Sequence, residues 1–172
     1  KGQAASAQER RLLAMRAELS PVVAQAQAWP GFRAPTEGYD ATTEQLLQKL
    51  GFKYHVADPN RTDGRLPLMA RLEEVGAEQS LVVLPRTQRD DLNLHWERLT
   101  PDETSQALID DATHAYQTGS LALLSIHSQN FGADGVLARS MPTLLNYLRS
   151  LGPSLWLASG TQVAQWWRNR ER

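Results

Sequence analysis

The residues with the clearest chemical potential are His127 and Arg33. His127 follows the apolar run 121–126, and an imidazole at the end of a buried strand can give or take a proton near neutral pH. Arg33 lies in a turn that contains Pro35, where a guanidinium can hold a carboxylate through two parallel hydrogen bonds. Each also has a structural interpretation, as a hydrogen-bonded histidine at a strand end and as an ion-paired surface arginine.

Other polar groups are weaker candidates. Ser128 follows His127 but lacks the G-x-S-x-G context of a nucleophilic serine. Asp90 and Asp91 are adjacent carboxylates, and a solvated loop is the favoured interpretation of residues 87–96. The remaining histidines have none of the spacings that form a self-contained zinc site; they are His55, His95 and His114.

The composition excludes several classes of protein. The chain has 172 residues, of which 41% are hydrophobic and 22% charged, as in an ordinary globular protein and not a disordered one. Its net charge of −1 does not favour nucleic acid as a partner. With no cysteine, it can form neither a disulfide nor a thiolate nucleophile. The length predicts a single domain over residues 1–172.

Hydrophobic periodicity and turn residues divide the chain into alternating helices and strands. A capping pattern at Thr100, Pro101 and Glu103 predicts the start of one helix. Strands are predicted at 29–32, 52–56, 80–85, 121–126 and 155–158. Helices are predicted at 4–28, as two pieces or one kinked helix, and at 42–50, 100–116 and 160–169. A short helix is predicted at 69–75 at most, and another from 136 or 142 to 149.

This alternation predicts an α/β fold with a mostly parallel sheet. Ligands of such folds bind at the carboxyl ends of the strands. Two polar segments follow predicted strands, one at Arg33 and Pro35 and the other at His127 and Ser128. The sequence therefore points to a site that contains both.

Several segments together resemble one family, the polysaccharide deacetylases of carbohydrate esterase family 4, which share the NodB-homology domain. Gly31-Phe32-Arg33-Ala34-Pro35, followed by a predicted helix and Leu50-Gly51-Phe52-Lys53-Tyr54, is similar to the family's R-x-P motif. Leu123-Leu124-Ser125-Ile126-His127-Ser128 is similar to its final L-x-x-H-[ST] motif. Leu84-Pro85 with the later Asp90-Asp91, and the tail from Trp156 to Arg168, resemble a common middle segment and the closing strand and helix.

The resemblance implies the C-terminal portion of a distorted (β/α)7 barrel that removes N-acetyl groups from a polysaccharide. In this family a divalent metal, usually zinc, polarises the acetyl carbonyl and activates water. By resemblance, His127 would protonate the leaving amine and Arg33 would hold the aspartate that acts as base. Ile126 would lie beside the acetyl methyl group, and Pro35 and Trp156 would contribute to substrate binding.

Two family motifs do not occur in the chain. They are the T-F-D-D type segment, with the base and one metal ligand, and the H-x-x-x-H segment with the other two ligands. Both precede the R-x-P motif in the family, so we expect the reading frame before Lys1 to encode them. The resemblance then implies an N-acetylated polysaccharide as substrate, and the upstream half of the barrel or a second copy as partner. A bacterial periplasmic or membrane-tethered location is also implied.

Two alternatives stay open on the sequence. In the first alternative, the chain is a non-catalytic carbohydrate-binding or scaffold remnant of the same fold, with candidate aromatic contacts at Trp96, Trp156 and Trp167. The second and weaker alternative is a hydrolase that uses Ser128 as its nucleophile.

Overall fold

The structure is a computed structural model that describes residues 2–22, 30–57, 65–70, 80–86, 89–130, 132 and 135–170. The chain divides into two compact units. The first comprises residues 1–57, 67–84 and 158–172, and the second comprises residues 58–66 and 85–157. The expectation of one domain over residues 1–172 stays a prediction.

A small sheet of four strands forms the centre of the first unit. Its strands are β1 (Gly31–Arg33), β2 (Tyr54–Ala57), β3 (Leu68–Met69) and β4 (Val82–Pro85), in the spatial order β1-β2-β4-β3. β1 pairs with β2 in parallel and β3 pairs with β4 antiparallel. All four residues of β4 are buried, as its continuous apolar sequence predicts.

Three helices complete the first unit: α1 (Ala5–Leu19), α2 (Ala41–Lys49) and α6 (Gly160–Arg170). α2 begins one residue earlier than predicted because Asp40 is its N-cap. Asp40 accepts a hydrogen bond from the Thr43 N–H at 3.0 Å, and the Thr43 hydroxyl accepts one from the Asp40 N–H. The predicted second helical piece after Ser20 falls mostly on residues 23–29, outside the described residues.

The apolar core of the first unit lies between the helices and the sheet. α1 contributes Leu12, and α2 contributes Leu46 and Leu47, which is fully buried. Phe52, in the turn between α2 and β2, packs edge-on against Phe32 of β1. The apolar stripe of α2 therefore holds this helix against the parallel pair of strands.

The second unit is built from α3 (Asp91–Trp96), α4 (Pro101–Thr118) and α5 (Val136–Ser150). The predicted capping box at the start of α4 is confirmed, because Thr100 and Glu103 exchange the expected hydrogen bonds. α4 and α5 pack together around buried leucines, and Ser140 of α5 donates to the Pro101 carbonyl at 2.8 Å. The apolar cluster between them contains Leu94, Ala107, Leu108, Leu137 and Leu144.

Several predicted elements are wrong. Residues 121–126 form no strand, and only Ser125 among them is buried. The predicted strand at 155–158 is irregular and largely exposed. Residues 91–96, predicted as loop, form the helix α3. The helix predicted at 69–75 is wrong at its start, because Met69 belongs to a strand, and its residues after Ala70 lie outside the described residues.

The fold is therefore mixed α/β, with a small, partly parallel sheet in the described residues. The sheet is less parallel than predicted because β3 returns beside β4 in the opposite direction. Over the described ranges, no helix is long and apolar enough to cross a membrane.

Candidate functional site

The adjacent carboxylates of Asp90 and Asp91, at the start of α3, have different roles. Asp90 is the N-cap: it accepts from the Asn93 N–H at 2.9 Å, while its own N–H donates to Asn93 Oδ1 at 3.0 Å. Asp91 is the first helical residue, and only 3% of it is exposed. Both residues are buried, so the prediction that they lie in a solvated loop is wrong.

The carboxylate of Asp91 binds His127 at two points. Its Oδ1 lies 2.8 Å from His127 Nδ1, and its Oδ2 accepts from the His127 N–H at 2.7 Å. Asn130 donates its side-chain N–H to the same Oδ2 at 2.9 Å, and the Asp91 N–H donates to the Ser125 carbonyl. One aspartate thus fixes both the backbone and the ring of His127.

This geometry sets the proton positions on the imidazole. A carboxylate that accepts from Nδ1 favours the form that carries a proton there, so proton exchange with a ligand would occur at Nε2. The His127 side chain is 34% exposed, whereas the Asp91 side chain is 1% exposed. A buried carboxylate behind a partly exposed imidazole is an arrangement suited to general acid–base chemistry.

The Asp91 carboxylate is held in its ionised form. Burial alone would raise the pKa of Asp91, but the hydrogen bonds from the ring and backbone of His127 and from Asn130 outweigh burial and lower that pKa. The negative charge is therefore available to stabilise a protonated His127.

A second ion pair supports the start of α3. Arg89 donates to both carboxylate oxygens of Asp111 on α4, at 3.3 and 3.1 Å, and to the Ala107 carbonyl at 3.3 Å. The hydrogen bonds with Asp111 raise the pKa of Arg89. The segment that carries Asp91 is therefore attached to the longest helix of the second unit.

Arg33 belongs to the first unit, at the end of β1. Its Nη2 lies 3.0 Å from Glu37 Oε1, and both side chains are partly exposed. Thr36 and Glu37 both have φ of 53°, a left-handed conformation that is unusual for a β-branched residue such as threonine. This turn, which begins at the exposed Pro35, brings Glu37 back to Arg33, a partner that the sequence did not reveal.

The other predicted site residues lie as follows. Ile126 is exposed and precedes His127 directly, and Ser128 is exposed at the start of the 3-10 turn Ser128–Asn130. Trp156 is 55% exposed in the irregular segment before α6. His127 and Arg33 lie in different units. The roles proposed for these residues stay predictions.

A cavity of about 590 Å³ adjoins Asp91 in the second unit. Apolar side chains from α3 and α5 line part of it, among them Leu94, Val136 and Leu137. Polar groups of Arg98, Asn130 and Thr104 line it as well. Its volume lies within the range of small-molecule sites, which are mostly apolar with a few placed polar groups.

The described residues do not fit a metal site. Across the described ranges, no three side chains of His, Asp or Glu are grouped so that they could hold an ion.

In comparisons with known proteins, neither a family model nor a curated protein nor a solved structure matches this chain. The interpretation of the site depends on its own geometry. The sequence did not predict the pairing of Asp91 with His127, and the spacing of Asp90 and Asn93, typical of a helix start, was the available signal for the placement of Asp91.

Proposed function

We propose that this chain supplies the general acid of a hydrolase that removes N-acetyl groups from a polysaccharide. The observation that carries the proposal is the pairing of His127 with the buried carboxylate of Asp91. A histidine held in this way can take a proton at Nε2 and deliver it to a leaving nitrogen. Amide hydrolysis needs such a donor because without one the nitrogen would have to leave as an unstable anion and not as a neutral amine.

The proposed step concerns the cleavage of the C–N bond. Water adds to the acetyl carbon and gives one proton to the base that the family resemblance implies. The C–N bond then breaks, the nitrogen leaves with the bonding electron pair and takes the proton from His127 Nε2, and the acetic acid that forms loses its proton to solvent. Acetate and an amino sugar result. Asp91 does not exchange a proton; its charge stabilises the protonated imidazole before transfer.

The remaining parts of the proposal come from the family resemblance. They are the C-terminal portion of a distorted (β/α)7 barrel, a base and metal ligands encoded before Lys1, and a location in the bacterial cell envelope. Arg33 would hold the base, and Ile126 would lie beside the acetyl methyl group.

The experiment is an assay of acetate release from N-acetylglucosamine oligomers by the protein as its native reading frame encodes it. We expect His127→Ala to lower kcat by about 10²–10⁴-fold, the usual contribution of general acid–base catalysis. The matched control is His114→Ala, which removes an exposed histidine on α4 and should leave kcat unchanged. Wild-type protein without acetate release, or a His127→Ala variant with normal kcat, would contradict the proposal.

A second candidate function is carbohydrate binding without catalysis. It is favoured by the exposed indoles of Trp156 and Trp96, since aromatic rings exposed on a surface can stack on sugars. Titration with chitin or peptidoglycan oligomers, followed by tryptophan fluorescence, tests this function. Saturable binding that Trp156→Ala abolishes, without any acetate release, would support it over hydrolysis.

A further inference from the structure

The turn that follows β1 holds two adjacent residues in a conformation that costs free energy. Thr36 and Glu37 both have φ of 53°, in the left-handed region that favours glycine. Gly38 comes directly after them but has φ of −82°, so the glycine of this turn does not take up the strained position. Strained backbone of this kind persists where the surrounding structure fixes it, and it is concentrated at functional sites.

Contacts on both sides of Glu37 fix the path of the turn. On one side, the Glu37 N–H donates to the carbonyl of the buried Ala34 at 3.0 Å. On the other side, Tyr39 packs edge-on against the His55 ring of β2, and Asp40 caps α2. The turn therefore starts and ends at fixed points, and its conformation between them determines where the Glu37 side chain lies.

The strained conformation brings the Glu37 carboxylate to Arg33. Glu37 Oε1 lies 3.0 Å from Arg33 Nη2, and the two side chains are 18% and 33% exposed. A partly exposed ion pair of this kind contributes little to the stability of a fold. Stability alone therefore does not explain two consecutive left-handed residues, whereas a need to hold the guanidinium in place does.

The position of Arg33 makes the orientation of its guanidinium important. Arg33 is the last residue of β1, which runs parallel to β2, and ligands of α/β folds bind at this end of parallel strands. A guanidinium binds a carboxylate in a defined plane because its N–H groups form a rigid fork. It carries five N–H donors, which is more than one carboxylate can use. The long side chain must lose its rotational freedom before such a contact can form.

We propose that Glu37 is the positioning residue of Arg33, and that its carboxylate holds the guanidinium in the orientation in which Arg33 binds a second carboxylate. That the second carboxylate is the catalytic base rests on the proposed function. That Glu37 orders Arg33 rests on the strained turn and the ion pair alone. In this role Glu37 touches neither the base nor the substrate and acts only through Arg33.

The direct test is ¹⁵N relaxation of the Arg33 Nε–H group in the intact protein, compared between the wild type and Glu37→Gly. We expect an order parameter of about 0.8 in the wild type and below about 0.6 in the variant, the difference between a rigid and a flexible N–H group. Because glycine suits a positive φ, Glu37→Gly should keep or raise the melting temperature, so that a lower order parameter reflects the lost carboxylate and not unfolding. Glu37→Gln, whose amide oxygen can still accept from Arg33, should keep a higher order parameter than Glu37→Gly.

The catalytic consequence is measured as acetate release by the native protein. Glu37→Gly should lower kcat at least about tenfold while KM stays within about twofold, because a misplaced base slows the chemical step without weakening substrate binding. Combining Glu37→Gly with Arg33→Lys should cost no more than Arg33→Lys alone, since the two residues act as a unit. The matched control is Glu9→Gln, which changes the carboxylate of another partly exposed ion pair in the first unit, with Lys49, and should alter neither kcat nor the order of Arg33.

The inference is overturned if Arg33 is already flexible in the wild type, if it keeps its order parameter in Glu37→Gly, or if Glu9→Gln lowers that order parameter equally. Acetate release by Glu37→Gly at the kcat of an active wild type would also overturn it. A wild type that releases no acetate refutes the proposed function alone, because the order of Arg33 is measured without substrate. The two proposals therefore fail separately.

Discussion

Asp91 Oδ1 lies 2.8 Å from His127 Nδ1 while Asp91 Oδ2 accepts from the His127 backbone N–H at 2.7 Å. The two residues are 36 positions apart, and the first turn of α3 brings the carboxylate to the loop that carries the imidazole. Holding ring and backbone together restricts the imidazole to one orientation, as a general acid requires.

Asp91→Asn should lower kcat for acetate release by about 10²–10⁴-fold, close to the loss from His127→Ala. The amide keeps the shape of the side chain but removes the charge that stabilises protonated His127. The measurement is kcat at substrate saturation, with Asp102→Asn on the outer start of α4 as the control. Equal loss in the control, or none in Asp91→Asn, would show that Asp91 does not support catalysis.

Asp91→Ala should destabilise the protein by about 1–3 kcal/mol, because it leaves partly buried hydrogen-bond donors of His127 and Asn130 without their carboxylate partner. Urea unfolding at neutral pH measures the change in free energy. A loss below about 1 kcal/mol would indicate that water replaces the carboxylate readily and that the site is wetter than its burial suggests.

Acidification should destabilise the protein through Asp40. Hydrogen bonds from the Gly2 and Thr43 N–H groups lower the pKa of Asp40 from 3.8 to about 2. A carboxyl whose folded pKa is depressed stabilises the fold above its unfolded pKa, and this stability is lost as the pH falls through about 4 towards 2. Asp91 has a lowered pKa and contributes in the same direction.

Asp40→Asn provides the check on this pH dependence. The amide can still cap α2, so at pH 7 the variant should lose no more than about 1 kcal/mol. Its free energy of unfolding should fall less steeply than that of the wild type between pH 4 and pH 2. Parallel curves for the two proteins would mean that Asp40 does not contribute to acid sensitivity.

Arg33→Lys should reduce kcat of the native protein at least about tenfold if Arg33 orients the catalytic base, because an ammonium lacks the forked geometry of a guanidinium. Arg149→Lys, the same change at an exposed arginine of α5, serves as the control. Unchanged kinetics in Arg33→Lys would show that Arg33 does not orient the base.

Gly160→Ala should destabilise the first unit by about 1–3 kcal/mol. A Cβ at this position of α6 would lie 2.7 Å from Tyr54 Cζ on β2, so the ring or the helix must shift. Alanine has a higher helix propensity than glycine, so a loss of stability would come from the contact between the added Cβ and the Tyr54 ring. Gly132→Ala is the control and should change the melting temperature little, because a Cβ there meets no atom of the described residues within 4 Å beyond its chain neighbours.

Elements governed by local chemistry were predictable from the sequence. The α4 start follows from Thr100, Pro101 and Glu103, whose hydrogen bonds involve only neighbours along the chain. β4 was predicted correctly from its continuous apolar run, and the fold buries all four of its residues.

The predicted strand at 121–126 failed because an apolar run does not specify a strand partner. There the Leu121 N–H donates to the Arg65 carbonyl, and the Ser125 carbonyl accepts from the Asp91 N–H. These are isolated backbone hydrogen bonds and not the regular series that pairs two strands. Leu124 packs against the α4–α5 cluster instead. The partner of His127 was hidden for the same reason, since only the tertiary fold brings α3 to this loop.

The position of the proton on neutral His127, measured by long-range ¹H–¹⁵N correlation NMR of the imidazole, tests the Asp91–His127 pair most directly. We predict a proton on Nδ1, facing Asp91, and a bare Nε2 that can take up the proton later delivered to the substrate. In Asp91→Asn this preference should weaken or reverse. A wild-type His127 that carries its neutral-form proton on Nε2 would contradict the pairing with Asp91, and with it the proposed general acid.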